Sequence, residues 1–312
     1  MGDGVVIITG ANSGIGKAAA YRFAKAGYSL VMACRNVKKG EIVQKEIIST
    51  TGNEKIDLME LDTSSFDSIH SFRTRFKEKY DQLDILVHNA AYFNHGSPYQ
   101  LSRDQIELTF ATNVFGPYLL TMLLHENLKK SPDPRIVNAG SNIIRNFFNP
   151  NLEINFNHLY AEDLKRNDFS VMESYRDSKM AFLMLTFKLA DFFRTDAIAV
   201  NMLEIKGAKM SKATLQKFKP KYRLVAMIQN LYFPTTESVA ENYFQMGTAA
   251  EFKQVTGKLF NHDLEIMQAG VEKPDIKTQV KQIAGSNFYP SYAHNQATMD
   301  KLWELCQQIT GV

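Results

Sequence analysis

Tyr175 and Lys179 stand four positions apart in a segment whose apolar residues recur with helical periodicity. At this spacing the phenol and the ammonium group lie one turn apart on the same helix face. A neighbouring ammonium favours the phenolate, so we expect it to lower the tyrosine pKa from about 10 towards neutrality. Such a tyrosine can serve as a general acid or base. An ordinary pair on a helix surface has the same spacing.

A strand, a glycine-rich loop and a helix follow one another at the N-terminus. Residues 5–8 are a β-branched run of the kind buried in parallel sheets, and residues 17–27 form an apolar-faced helix ending in glycine. This unit predicts a site for a dinucleotide pyrophosphate, because glycines allow close backbone approach and the free N–H groups of the helix meet the anion. A plain glycine-rich loop is the alternative. The predicted contacts are Gly10, Asn12, Ser13, Gly14, Ile15 and Gly16.

The end of the second strand, residues 29–34, indicates which coenzyme is bound. An acidic residue there would bind the adenosine ribose 2′-hydroxyl, whereas an arginine favours a 2′-phosphate. Arg35 stands at this position, with Lys17, Lys38 and Lys39 as possible helpers. We therefore predict NADP(H) in preference to NAD(H). Alternatively, Arg35 is a solvated charge that stacks on adenine.

Two further strand ends predict coenzyme contacts, since ligands of open parallel sheets lie beyond the carboxyl ends of the strands. Asp62 follows the third strand and is placed to accept a hydrogen bond from the adenine amino group, or to cap the next helix. Asn89, Ala90 and Ala91 follow the fourth strand, where small residues let the backbone pass close to the coenzyme ribose.

Two polar residues have open interpretations. Asn113 lies on an apolar face of a long helical stretch, residues 102–130, which is interrupted near Gly116 and Pro117. A buried asparagine needs partners, so it either marks a kink that holds a water or is a satisfied core amide. Ser141 follows the fifth strand and either faces the same crevice or is a turn residue.

Strands and helices alternate along the whole chain, without repeats or linkers. This alternation predicts one domain over residues 1–312, an α/β doubly wound parallel sheet of the Rossmann type with helices on both faces. Residues 142–169 form an irregular excursion, in which Phe147 and Phe148 line a substrate mouth or pack the excursion onto the body. Residues 206–235 suggest a helical flap over the crevice.

The balance of 36 basic and 33 acidic residues, a net charge of +3, argues against nucleic acid as a partner. Two cysteines indicate a reducing compartment, and the histidines have no metal-ligand spacing, so we expect no metal. No apolar run reaches the ~20 residues that span a bilayer. We expect a cytoplasmic protein without a membrane anchor, while a lipid-facing patch elsewhere stays open.

Together these motifs resemble the short-chain dehydrogenase/reductase family, in its classical branch. Residues 9–16 are similar to the family's TGxxxGIG loop and residues 175–179 to its YxxxK site. Asn113 and Ser141 match the other members of its Asn-Ser-Tyr-Lys tetrad, in order. The ACRN, GKLF and LWELCQQITG segments resemble, more narrowly, the retinol dehydrogenase and WW-domain oxidoreductase group.

The resemblance implies an NADP(H)-dependent oxidoreductase that interconverts an apolar alcohol and its carbonyl. In this hypothesis Tyr175 transfers the proton, and Lys179 lowers the tyrosine pKa and binds the nicotinamide ribose. Ser141 holds the substrate oxygen and Asn113 anchors a water that resupplies protons. By analogy the chain would form a homodimer. Aromatic residues hint at a bulky apolar substrate: Tyr92, Phe93, Phe147, Phe148, Phe218 and Tyr222.

The chain departs from the family pattern after the sixth strand, where Pro-Gly and a threonine normally grip the nicotinamide carboxamide. Residues 204–211 contain neither the proline nor the threonine, although Ser211 is a possible substitute. A milder departure places His88 and Ala91 at two positions of the NNAG motif. The alternative function is therefore a catalytically impaired, coenzyme-binding regulatory or scaffold protein.

Overall fold

Seven strands form a single parallel sheet in the order β3-β2-β1-β4-β5-β6-β7. The structure, a computed structural model, describes residues 4–94, 97–160, 169–209, 223, 227, 230 and 233–312. The strands are β1 Val5–Thr9, β2 Ser29–Cys34, β3 Ile56–Glu60, β4 Ile85–His88, β5 Arg135–Ala139, β6 Ala199–Leu203 and β7 Lys258–Phe260. Two short strands, β8 Gln268–Ala269 and β9 Phe288–Tyr289, pair separately.

Helices connect the strands. They are α1 Gly14–Lys25, α2 Val37–Thr51, α3 Phe66–Lys79, α4 Leu108–Phe110, α5 Gly116–Leu123, α6 His125–Leu128, α7 Val171–Phe192, α8 Thr236–Thr248, α9 Ile276–Ala284 and α10 Gln296–Thr310. A π-helical turn, Ala111–Phe115, joins α4 to α5, and a 3-10 helix spans Asn142–Phe148.

Two apolar cores, one on each face of the sheet, explain why the strands are apolar on both sides. In β1, Val6 and Ile8 belong to the core that contains α1, α2 and α8, whereas Ile7 belongs to the core of α3, α5 and α7. Successive strand side chains point to opposite faces, so a strand covered on both sides reads as a continuous apolar run. The predicted doubly wound parallel sheet, with helices on both faces, is confirmed.

The strand order reverses between β1 and β4, which pair directly although their chain segments are far apart. At such a switch point the connections leave in opposite directions and open a crevice beyond the carboxyl ends of the strands. The glycine-rich loop, the end of β4 and the end of β5 all meet at this edge. The topology therefore brings together the segments in which the sequence places the site.

The long helix predicted over residues 102–130 is wrong in its first part. Helical structure begins only at Leu108, and the side chain of Glu107 caps it by accepting hydrogen bonds from the backbone N–H groups of Thr109 and Phe110, both at 2.9 Å. The interruption predicted near Gly116 is a π-helical turn, in which Asn113 lies at the centre.

The excursion predicted over residues 142–169 is partly regular. It opens with the 3-10 helix Asn142–Phe148, for which Ser141 is the N-cap residue. Residues 161–168 and most of the predicted flap at 206–235 lie outside the described residues. The segment of α9 with β8 and β9 was not predicted from the sequence.

Both cysteines, Cys34 and Cys306, are buried free thiols. Burial raises the pKa of Cys34 to about 11, so the thiol stays protonated at physiological pH. Among the described residues, no helix combines the length and the apolar character needed to cross a membrane. The described residues also contain no group of three side chains that could hold a metal ion.

Arg145, in the 3-10 helix, ties three segments together. Its guanidinium donates to Glu204 Oε1 at 3.2 Å, just beyond β6, and to the carbonyls of Ile283 at 3.0 Å and Gly285 at 2.7 Å at the end of α9. Glu204 is buried, and burial raises the pKa of its carboxyl group although Arg145 opposes this shift. Removing either partner would therefore leave an uncompensated charge in the interior, which would lower the free energy of unfolding.

We expect Arg145→Met to lower the free energy of unfolding by about 3–5 kcal/mol, because it leaves the buried Glu204 without its cation. The double variant Arg145→Met/Glu204→Gln should recover part of this loss. Lys129→Met, which breaks a surface pair with Glu126, is the control and should cost under about 1 kcal/mol. Urea unfolding at neutral pH measures all three variants, and wild-type stability of Arg145→Met would contradict the assignment.

Candidate active site and coenzyme crevice

A crevice of about 500 Å³ lies beyond the carboxyl ends of β1, β2, β3 and β4. It contains most of the coenzyme contacts predicted from the sequence together with residues that were not predicted. Its lining is Gly10, Asn12, Ser13, Arg35, Asn36, Lys39, Leu61, Asp62, Thr63, Asn89, Ala90, Ala91, Tyr92 and Thr112. The predicted contacts Gly14, Ile15 and Gly16 occupy the first turn of α1, next to this lining.

Two glycines determine how closely α1 approaches the strand ends. Gly10 has a φ of +69°, a backbone conformation that residues other than glycine rarely adopt. A Cβ on Gly16 would lie 2.4 Å from the carbonyl oxygen of Gly10 and 2.5 Å from Asn89 Nδ2. Only glycine at this position lets the N-terminus of α1, the positive end of the helix dipole, reach the crevice.

Thr9 connects the glycine-rich loop to the end of β4. Its hydroxyl oxygen accepts hydrogen bonds from the backbone N–H groups of Asn89 at 3.0 Å and Ala90 at 2.9 Å, and its hydroxyl donates to the carbonyl of Val87 at 3.3 Å. The side chain of Asn89 donates to the carbonyl of Thr9 at 2.9 Å. This role of Thr9 was not predicted from the sequence. The available signal was the presence of a polar residue at the end of an apolar strand.

The basic residues around the second strand end do not all face the crevice. Arg35 and Lys39 are exposed and line it. Lys17 forms an ion pair with Glu46 at 2.7 Å, so its predicted role as a helper to Arg35 is not supported. Asp62 lines the crevice and accepts hydrogen bonds from the backbone N–H and hydroxyl of Ser64. The N-cap of α3 is Ser65, whose side chain accepts from Ser68 N, so the interpretation of Asp62 as the helix cap is wrong.

Tyr175, Ser141 and Lys179 come together at the carboxyl end of β5. The Ser141 hydroxyl lies close enough to the Tyr175 phenol to lower its pKa. Lys179 Nζ donates to the carbonyl oxygen of Ala139 at 2.9 Å and lies 5.8 Å from the centroid of the Tyr175 ring. Ser141 and Lys179 are buried, whereas Tyr175 is partly exposed. A phenol, a hydroxyl and an amine thus converge at a position that a small molecule can reach.

The electrostatics of this cluster differ from the sequence expectation. Burial raises the pKa of Tyr175, while the nearby Ser141 hydroxyl acts in the opposite direction. Burial also lowers the pKa of Lys179 to about 8. The expected fall of the tyrosine pKa is therefore wrong in this structure, because desolvation of the phenolate is the larger effect. At neutral pH the tyrosine is protonated and the lysine is charged.

Asn113 is a satisfied core amide within a kink. Its Oδ1 accepts from the backbone N–H of Tyr92 at 2.7 Å, and its Nδ2 donates to the carbonyl of Tyr92 at 3.1 Å and to Ser178 Oγ at 3.1 Å. Ser178, which was not predicted, donates in turn to the carbonyl of Tyr175 at 2.8 Å. The side chain of Asn113 therefore fixes the π-helical turn against α7 and the segment that follows β4.

The aromatic residues expected to line a substrate pocket separate into two groups. The Phe93 ring packs on the Tyr175 ring, with centroids 4.5 Å apart. Phe147 stacks on Tyr292 instead, and with Phe148 it lines a second cavity of about 800 Å³ against the C-terminal segment. Phe218 and Tyr222 lie outside the described residues.

Comparison with known proteins assigns the family. The short chain dehydrogenase family model matches residues 4–149. Retinol dehydrogenase 12 of Mus musculus is 30% identical over 311 residues, which cover 99% of this chain and 86% of that protein. The chain belongs to the short chain dehydrogenase family.

Other relatives of this short chain dehydrogenase agree with the narrower resemblance. Human retinol dehydrogenase 11 is 38% identical over 186 residues, 60% of this chain and 55% of that protein. The WW domain-containing oxidoreductase of Gallus gallus is 27% identical over 307 residues, which cover 98% of this chain and 67% of that protein. The resemblance to the retinol dehydrogenase and WW-domain oxidoreductase group is confirmed.

Solved structures share the fold of this short chain dehydrogenase. A short chain dehydrogenase of Shigella flexneri, solved in complex with NADP, superposes with a TM-score of 0.64 at 21% identity over 84% of this chain and 98% of that chain. A short chain dehydrogenase of Escherichia coli in complex with NADPH has a TM-score of 0.64 at 21% identity, over 84% of this chain and 97% of that chain.

This chain departs from the family pattern in the segment after β6. The segment begins with Glu204, whose carboxylate accepts a hydrogen bond from Arg145. Gly207 has a φ of +132°, and a Cβ there would lie 2.8 Å from the Phe233 ring. The chain thus turns closely over an aromatic ring at this point. Ser211, the possible substitute for the missing threonine, lies outside the described residues.

Proposed function

We propose that this protein is an NADP(H)-dependent oxidoreductase that interconverts an apolar alcohol and its carbonyl. The observation that carries the proposal is the convergence of the Tyr175 phenol, the Ser141 hydroxyl and the Lys179 ammonium at the carboxyl end of β5. The names of the relatives, retinol dehydrogenases among them, and the complexes of two solved family members with NADP and NADPH support it.

The crevice suits a dinucleotide phosphate. The first turn of α1 presents free N–H groups and a positive helix end, which favour a pyrophosphate. Arg35 and Lys39 add two cations at the end of β2, where the adenosine ribose would lie, and no carboxylate follows that strand. A 2′-phosphate is therefore preferred to a free 2′-hydroxyl.

Tyr175 acts as the proton donor in the reducing direction. NADPH, when bound, supplies a hydride to the carbonyl carbon. Because burial raises the pKa of Tyr175, its phenol carries a proton at neutral pH and can transfer it to the carbonyl oxygen as negative charge develops there. In the oxidising direction the same oxygen, as phenolate, accepts the proton of the alcohol.

Ser141 and Lys179 support this transfer in different ways. The Ser141 hydroxyl lies beside the phenol, whose pKa it lowers, and we assign it to holding the substrate oxygen as a fixed dipole. The Lys179 ammonium, one helical turn from Tyr175, stabilises the phenolate that the transfer leaves behind and can bind the hydroxyls of the nicotinamide ribose. We assign Asn113 to positioning, because its side chain bonds Tyr92 and Ser178.

An apolar substrate follows from the surface next to the phenol. The exposed Phe93 ring packs directly on Tyr175, so a substrate whose oxygen reaches the phenol must contact an aromatic face. Burying an apolar group against this ring is favourable, whereas burying a charged group there would carry a desolvation penalty.

Tyr175→Phe should lower carbonyl reduction by about 10²–10⁴-fold, because it removes the proton donor. Binding of NADPH should change little, since the phenyl ring keeps the shape of the site. The assay follows NADPH absorbance with a panel of aldehydes, ketones and quinones. Tyr118→Phe, whose hydroxyl donates to the carbonyl of Val312 away from the crevice, is the matched control and should retain activity. If wild-type protein binds NADPH but reduces none of the panel, the regulatory alternative is favoured.

The pH dependence of reduction should reflect Lys179. Its pKa is lowered to about 8, so the ammonium is present below pH 8 and is lost above it. The kcat/KM for NADPH, which reports the unliganded protein, should therefore fall as the pH rises through about 8. In Lys179→Arg the cation persists, so the fall should move to higher pH even if the maximal rate is lower. An unchanged profile in that variant would exclude Lys179 as the titrating group.

Arg35→Ala should raise the KM for NADPH by about tenfold or more, because a hydrogen bond to a charged phosphate is lost. The KM for NADH should stay close to the wild-type value, since NADH has no 2′-phosphate. Lys17→Ala is the control, because Lys17 pairs with Glu46 rather than lining the crevice, and it should preserve both values. Equal losses for NADPH and NADH in Arg35→Ala would argue that Arg35 stacks on adenine.

A further inference from the structure

Helix α9, Ile276–Ala284, is amphipathic with its apolar face turned away from the protein. Ile276, Val280 and Ile283 are 86%, 61% and 51% exposed and recur at the i, i+4, i+7 spacing of a single helix face. Val271, just before the helix, is 58% exposed. An ordinary surface helix buries such a stripe against the core, so this orientation is the reverse of the usual one.

The polar face of α9 is the one that contacts the body. Gln282 is buried, and its side-chain oxygen accepts a hydrogen bond from the backbone N–H of Val271. The side chain of Gln279 donates to the carbonyl of Phe148 at 2.9 Å. Asp275 caps the N-terminus by accepting from Thr278 N at 2.7 Å, and Arg145 holds the carbonyls at the C-terminus. Specific hydrogen bonds therefore fix the helix with its apolar side outward.

Lysines flank the outward face. Lys277 and Lys281 follow Ile276 and Val280 directly, which places them along one side of the apolar stripe, and Lys273 precedes the helix. All three are exposed, and none forms an ion pair among the described residues. Residues 271–284 carry three lysines against one glutamate and one aspartate, a local charge of +1.

We propose that the α9 face, defined as Ile276, Val280 and Ile283 with their flanking lysines, docks the protein on an anionic membrane surface. An apolar stripe bordered by lysines matches an interface in which acyl chains lie next to negatively charged headgroups. Antiparallel pairing with the same helix of a second copy is less compatible with the charges, because it would bring the lysines of both copies to the same side of the contact. The protein would lie on the bilayer through this helix without crossing it.

Flotation of the full-length protein with lipid vesicles tests the proposal. Wild-type protein should float with vesicles of phosphatidylcholine and phosphatidylserine, more weakly with phosphatidylcholine alone, and less at high salt. The variant Ile276→Ser/Val280→Ser/Ile283→Ser should lower the partition coefficient by about tenfold or more. Lys277→Gln/Lys281→Gln should remove the preference for phosphatidylserine.

Control variants distinguish specific membrane docking from non-specific adsorption to vesicles and from misfolding. Ile42, 69% exposed on α2, provides the matched pair: Ile42→Ser should float like the wild type, whereas Ile276→Ser alone should bind more weakly. All variants should keep the wild-type unfolding midpoint, because the changed side chains face outward. Absence of flotation with anionic vesicles, or equal flotation of the triple variant, would overturn the proposal. A wild-type dimer that the triple variant converts to monomer, without vesicle binding, would assign the face to a second copy instead.

Discussion

The hydrogen bond from the buried Lys179 ammonium to the carbonyl oxygen of Ala139, 2.9 Å long, fixes the chemistry of this site. A buried ammonium requires an acceptor, and the last residue of β5 supplies it. Since Tyr175 lies one turn before Lys179 on α7 and Ser141 two residues after Ala139, the same contact brings phenol and hydroxyl together. The register of one helix against one strand therefore determines whether the proposed proton donor meets the group that would hold the substrate.

The other half of the site depends on the junction between β1 and β4. Thr9 holds the backbone of Asn89 and Ala90, and Gly16 permits α1 to close on Gly10. These contacts bring a positive helix end to the crevice without any charged side chain. The two halves differ in their charges. The crevice is lined by the exposed cations Arg35 and Lys39, whereas Ser141 and Lys179 are buried and burial shifts the pKa values of Tyr175 and Lys179.

Local patterns in the sequence predicted the elements whose structure depends on neighbouring residues. Residues 29–34 and 135–139 form the strands expected of them, since a short, largely apolar run between turn residues is typical of a buried strand. Quantities set by distant packing were not predictable: the raised pKa of Tyr175 depends on desolvation by the whole fold. The outward face of α9 depends likewise on Arg145, more than a hundred residues away, and a π-helical turn at Asn113 has no reliable sequence signal.

Transfer of deuterium from labelled coenzyme tests the central claim most directly. NADPH carrying deuterium on one or the other face of nicotinamide C4 would be incubated with the protein and an apolar aldehyde or ketone, and the alcohol analysed by mass spectrometry and NMR. The account predicts that one labelled form, and only one, places its deuterium on the former carbonyl carbon, because the fixed crevice presents a single face. Alcohol that carries deuterium from neither form, or equally from both, would contradict hydride transfer at this site.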